Sequence, residues 1–179
     1  MDSAALLRYL DSLSIPYERH EHVAVYTSEQ ARRLIAPLPG ASAKNLFLRD
    51  KKGQRHILLT LDDRKTLSLR ALAGQLGLSK LSLASAERLH ERLGVEPGAV
   101  SLMALVNDPA RSVEVLIDRD IWQAEAMHCH PLINTATLVI PLSGIRAFLA
   151  ATGHTARLVD IPAPADDAAP LSAAPGPDD

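Results

Sequence analysis

Apolar residues at Ala5, Leu6, Tyr9, Leu10 and Leu13 recur at helical spacing, which predicts a helix over 3–13 with Ser3 as its N-cap. Pro16 stops it, and Tyr17–His22 reads as a short strand. Thr27-Ser28-Glu29-Gln30 has capping-box spacing, so a second helix starts at Thr27, runs through Ala31, Leu34 and Ile35, and ends before Pro37. The clearest hairpin follows. Lys44–Arg49 and His56–Leu61 are apolar strands joined by the polar turn Asp50-Lys51-Lys52-Gly53-Gln54, whose glycine is free to take positive φ.

Ser68–Leu76 and Ser85–Leu93 are helices closed by Gly77 and Gly94, with a short strand at Lys80–Leu83 between them. Val113–Ile117 and Thr137–Ile140 are short, β-branched strands. Gly144–Thr152 is a last amphipathic helix, and Ala156–Val159 a last strand. Strands and helices interleave irregularly around a hairpin, so an α+β domain with a mixed sheet fits better than a strict βαβ repeat. The domain is expected over residues 1–161. Residues 162–179, rich in Ala, Pro and Asp, lack the apolar surface to offset their ordering entropy and are expected to be disordered.

Composition narrows the class. A chain of 179 residues suits one domain that buries about 70% of its unfolded surface. With 47% hydrophobic but only 3% aromatic residues, the core has to be aliphatic. A net charge of -2 gives no global signature of a nucleic-acid binder. Arg32, Arg33, Lys51, Lys52, Arg55, Arg64, Lys65 and Arg70 all precede residue 71, which leaves open a local basic surface or plain solvated charge. A lone cysteine, Cys129, rules out an internal disulfide framework. The N-terminus has no signal-peptide pattern, and no apolar run approaches the roughly 20 residues of a membrane span. A soluble, cytoplasmic protein without membrane partners is expected.

Three segments could carry chemistry. Lys44 places a charge at the start of an apolar strand. It is either an edge lysine whose ammonium reaches water, or a fixed cation that anchors a phosphate or polarises a carbonyl. Glu96-Pro97-Gly98-Ala99-Val100-Ser101 is either a tight turn entering a strand or a loop whose free N–H groups face a ligand. His128-Cys129-His130 invites a zinc reading, but strand alternation turns both imidazoles to one face and the thiol to the other. Three ligands then fail to converge, and nothing in the sequence joins this pair to His20 and His22, so no metal is expected. His130-Pro131-Leu132-Ile133-Asn134 leaves the strand abruptly, and its imidazole and carboxamide could orient a water or hold a ribose hydroxyl. There is no nucleophile elbow, Walker loop or dinucleotide fingerprint, and Cys129 reads as a buried, inert thiol.

In this order, the segments resemble the YbaK/prolyl-tRNA-synthetase-associated family of editing domains over about residues 3–160, most like its freestanding ProXp-ala branch. Tyr17-Glu18-Arg19-His20-Glu21-His22, Tyr26–Ala31, Ala41–Leu48, Pro97–Asp108, Val113–Asp118 and His130–Thr135 carry the likeness. The resemblance implies a single α+β domain with a central mixed, largely antiparallel sheet flanked by helices. It implies a trans-editing aminoacyl-tRNA deacylase that hydrolyses mischarged Ala-tRNA(Pro) with no metal or organic cofactor. Its partners would be the acceptor end of the mischarged tRNA and prolyl-tRNA synthetase. By position, Lys44 matches the family's essential lysine, and Gly98, Ala99, Val100 and Ser101 match its substrate-binding loop. His130 matches the histidine beside the amino-acid pocket, with Asn134 in support. One departure stands out. The family loop runs Gly-x-x-x-Pro, and here Leu102 takes the proline's place, which bears on amino-acid preference. The same fold acting on Ser-, Thr- or Cys-charged tRNA, or a non-catalytic tRNA- or synthetase-binding module, are the alternatives.

Overall fold

The strand His56–Asp62 is buried along its whole length, and the rest of the architecture follows from covering both of its faces. The computed structural model describes residues 1–164. In chain order the elements are α1 (Ser3–Ser12), β1 (Glu18–Glu21), α2 (Ser28–Leu34), β2 (Ala43–Asp50), β3 (His56–Asp62), α3 (Leu69–Gln75), β4 (Leu81–Leu83) and α4 (Ala86–Leu93). A 3-10 helix (Leu102–Asn107), β5 (Val113–Asp118), a short 3-10 turn (Ile121–Gln123), β6 (Ala126–Cys129), β7 (Ala136–Pro141), α5 (Leu142–Thr152) and β8 (Ala156–Val159) complete it. The tail expected to be disordered from 162 falls, from 165 onward, outside the described residues.

The fold is α+β, and its strands divide between two sheets. One has the order β4-β2-β3-β5-β8, antiparallel at β4–β2 and β2–β3 and parallel at β3–β5 and β5–β8. The other, β1-β7-β6, is antiparallel throughout. Period-2 alternation along β3 sends Leu58 into the main core, with Phe47, Val115 and Ile117. It sends Ile57, Leu59 and Leu61 into a second core against Leu72 and Ala73 of α3. Each fully buried leucine is worth about 1.5–3 kcal/mol, so this one strand ties both layers together.

The two sheets are joined where the site lies. Gly40 takes φ +96°, and a Cβ there would stand 2.8 Å from the Ala126 carbonyl oxygen, so only glycine lets the chain approach β6. The next residue, Ala41, donates to Ala126 O (2.8 Å) and accepts from His128 N–H (3.0 Å), forming a parallel bridge opposite Met127. Lys44 and His130 each stand three residues beyond that bridged pair.

Three local expectations are corrected. Asp2, not Ser3, caps α1, its carboxylate accepting from Ala5 N–H at 2.8 Å, because an ionised oxygen is the stronger acceptor at a helix N-terminus. Thr27 caps α2 as expected, but Gln30 Oε1 accepts from Tyr26 N–H (2.8 Å) rather than from the cap's own amide. The segment after Gly98 enters a 3-10 helix and not a strand. Ser101 Oγ accepts from Met103 N–H (3.2 Å), and Leu102, Met103, Ala104 and Leu105 are all buried, so no exposed position reveals the period.

Candidate active site

The segment Pro97-Gly98-Ala99 turns sharply, with Ala99 N–H donating to Glu96 O at 3.0 Å. That bond spends one of the four amides assigned to ligand binding. Among the described residues the N–H groups of Gly98, Val100 and Ser101 donate to nothing. Gly98 sits at φ +90°, where a Cβ would meet Tyr26 Cδ1 at 2.9 Å and Asn134 Nδ2 at 3.5 Å. Glycine is thus demanded twice, by the backbone angle and by the neighbours. Ser101 is fully buried with its hydroxyl capping the 3-10 helix, and Leu102 is 1% exposed, so both anchor the loop to the core.

His130 follows the last residue of β6. Its Nδ1 donates to Ala136 O (3.0 Å), which fixes the tautomer and leaves the Nε2 lone pair uncommitted among the described residues. Burial pushes the imidazole below the ordinary histidine value, the Ala136 bond opposes this, and nearby His22 adds to the depression. Neutral His130 can therefore accept a hydrogen bond at Nε2. The loop beyond it carries Leu132 at φ +65°, a left-handed conformation that costs a residue with a side chain about 1–2 kcal/mol. Burial of the Leu132 side chain offsets that cost.

Segment 22–26 runs beside this loop and stitches it to Gly98. His22 N–H donates to Thr135 O (2.9 Å), and Val25 N–H to Asn134 O (3.1 Å). The Asn134 carboxamide is left without a hydrogen bond among the described residues, next to Gly98. Nothing in the sequence joins His22 to His130. The structure brings their rings to 6.3 Å between centroids, with His22 Nδ1 donating to Val23 O (2.7 Å) and Nε2 accepting from Thr137 Oγ1 (2.9 Å). His128 turns away, its Nε2 bonded to Pro39 O at 2.8 Å. Among the described residues no three His, Cys, Asp or Glu side chains are grouped to hold a metal ion.

Lys44 is placed differently. It lies second in β2, half-buried, with its ammonium donating to Lys65 O, and no hydrogen bond joins it to Gly98, His130 or Asn134. Burial lowers its pKa below the usual lysine value; Asp63 and Asp62 oppose this, while Arg32 reinforces it. The acceptor carbonyl is set by a charged turn after β3. Lys65 Nζ reaches Asp118 (2.8 Å) and Asp120 (2.6 Å), while Asp63 takes Arg32 (2.8 Å) and Ser42 Oγ (3.2 Å). The sequence signal for this turn was the run Asp62-Asp63-Arg64-Lys65 at the end of an apolar strand. Cys129 lies buried in the core, and desolvation pushes its thiol up to about 12, so it cannot supply a thiolate near neutral pH.

The arrangement offers free backbone donors in the Gly98 loop beside a free carboxamide, an unprotonated imidazole nitrogen at the start of the loop that carries that carboxamide, and a lysine on β2. Donors of that kind stabilise developing negative charge on an acyl oxygen. A family model for the aminoacyl-tRNA editing domain matches residues 22–148, which contain every one of these groups. The chain is 34% identical over 157 residues to the prolyl-tRNA editing protein ProX of Acetoanaerobium sticklandii, covering 88% of this chain and 96% of that protein. It is 37% identical over 152 residues to a prolyl-tRNA synthetase associated domain-containing protein of Danio rerio, covering 84% and 82%. A solved structure described as a proposed trans-editing enzyme for prolyl-tRNA synthetase superposes with a TM-score of 0.65 at 20% identity, over 90% of this chain and 97% of that one, and so shares the fold. No helix among the described residues is long and apolar enough to cross a membrane. By sequence match and fold, the chain belongs to the aminoacyl-tRNA editing domain family.

Proposed function

We propose that this protein is a trans-editing deacylase that hydrolyses the ester of Ala-tRNA(Pro), the product of prolyl-tRNA synthetase mischarging. The observation that supports the reading is the set of uncommitted amides at Gly98, Val100 and Ser101 beside the uncommitted Asn134 carboxamide, with His130 at the start of the loop that carries Asn134. The names of the relatives agree with it. In this mechanism the aminoacyl carbonyl lies against the Gly98 loop, whose N–H groups take up the developing oxyanion. His130 Nε2 accepts a hydrogen bond from the attacking water. Water oxygen bonds to the carbonyl carbon, the carbon–ribose oxygen bond breaks, and the proton that the water gives up ends on the departing ribose oxygen, leaving a free acid and a ribose hydroxyl. Lys44 is the fixed cation that holds the acceptor end. With Cys129 buried and protonated, positioning of water replaces covalent catalysis.

The need for such an enzyme is energetic. A pocket that accepts proline excludes a smaller residue by only about 1–3 kcal/mol, so a second site must remove the error. The test is a deacylation assay over tRNAs charged with alanine, serine, threonine, cysteine and proline. Rapid loss of alanine with prolyl-tRNA spared is expected. Hydrolysis of seryl but not alanyl ester would overturn the substrate, and inertness toward all five would leave a binding module.

A further inference from the structure

Tyr26 has no role in the mechanism above, yet the fold holds it at the mouth of the Gly98 loop. On its N-terminal side Val25 is buried and donates its N–H to Asn134 O at 3.1 Å. Its own N–H is held by Gln30 Oε1 at 2.8 Å, and Thr27 beyond it caps α2. With the backbone pinned on both sides, the ring edge comes so close to Gly98 that a Cβ there would lie 2.9 Å from Cδ1. The ring is nonetheless not part of the core, because Tyr26 is 52% exposed and its hydroxyl makes no hydrogen bond among the described residues.

An aromatic ring half exposed to water and held beside the loop proposed to bind an acyl ester suits one neighbour above others. The ester joins the amino acid to the terminal ribose of a tRNA, and that ribose carries a base with two apolar faces. We infer that Tyr26 is the stacking platform for the terminal adenine of the acceptor end, a binding residue that sets where the ribose and its ester lie relative to the Gly98 amides. This inference rests on the tRNA reading of the site. Base–aromatic stacking tolerates an exposed ring, and it needs no hydrogen bond from the phenol.

The experiment compares equilibrium binding of an uncharged tRNA with its intact 3′ end and of the same tRNA lacking only the terminal adenosine. Wild-type protein should prefer the intact tRNA. Tyr26→Leu should cut that preference by roughly 5- to 150-fold, the range that one stacked base supplies, without weakening binding of the truncated tRNA. Tyr26→Phe and Tyr26→Trp, which keep a π-face, should retain it. An undiminished preference in Tyr26→Leu overturns the inference, as does an equal loss for both tRNAs, which would mark the ring as a prop for the loop. Absence of tRNA binding by the wild type overturns both this inference and the proposed function. Deacylation by a wild type that ignores the terminal adenosine overturns the inference alone.

Discussion

Replacing Gly98 by alanine separates backbone strain from function, because Gly77 supplies a matched comparison. Both residues hold left-handed φ, +90° at Gly98 and +67° at Gly77, but a Cβ at Gly77 meets nothing within 4 Å. Left-handed backbone costs alanine about 1–2 kcal/mol, and stiffening of the unfolded chain returns about 0.4–1 kcal/mol. Each substitution should therefore lower stability by about 1 kcal/mol. At Gly98 the new methyl also meets Tyr26 Cδ1 at 2.9 Å, and because Tyr26 is held by backbone bonds on both sides, the Gly98 loop gives way instead, at little further cost in stability. The consequence falls on the loop's donors, since a shifted loop no longer aims its N–H groups at the acyl oxygen of the proposed substrate. Loss of one such donor costs on the order of 100- to 1000-fold in turnover. Urea denaturation of both variants, with single-turnover deacylation of Ala-tRNA(Pro), measures the two effects separately. Similar denaturation midpoints with activity lost only in Gly98→Ala are expected. Wild-type turnover in Gly98→Ala, or an equal loss in Gly77→Ala, refutes the assignment of the loop.

Lys44→Ala should abolish deacylation without lowering the melting temperature, because a half-buried ammonium is costly to the fold and serves the ligand; unchanged turnover would remove Lys44 from the site. Burial holds His56 and His130 below the ordinary histidine value, so the unfolded chain takes up these protons first as pH falls. Their contribution is complete above about pH 6.5, is lost down to the folded pKa values and then levels off, and His130→Asn should shrink the slope in a pH series of thermal melts. A variant profile that superimposes on the wild type would contradict this. Leu102→Pro should destabilise by about 1–3 kcal/mol through lost core packing and leave amino-acid preference unchanged, since the leucine side chain points into the core. A changed preference across the mischarged panel would show that position 102 shapes the pocket after all.

Much of the fold was legible because its signals are local. The β2–β3 hairpin, the helices beginning about Ser68 and Ser85, the left-handed Gly94 and strand β8 each follow from residues adjacent in the chain. Leu102–Asn107 was not legible, since a short run buried on all sides carries no amphipathic period. The site divides in the same way. Lys44, Gly98, His130 and Asn134 were visible as residue types in unusual places, with the family resemblance supplying their roles. That the Ala99 amide is already taken by Glu96 O is not legible, because whether an amide is free depends on a turn bond that sequence does not display.

By itself, then, the sequence determined the α+β class, the aliphatic core and which segments are out of keeping with mere packing. These depend on hydrophobic period, caps and turn residues, all set within a few positions. Only the tertiary structure decided that His22 faces His130, that Tyr26 covers Gly98 beside Asn134, and that the Lys65 carbonyl holds Lys44. Those encounters join residues far apart in the chain. They arise because two sheets must bury their apolar faces together, and which polar groups then meet at the rim is a consequence of that packing.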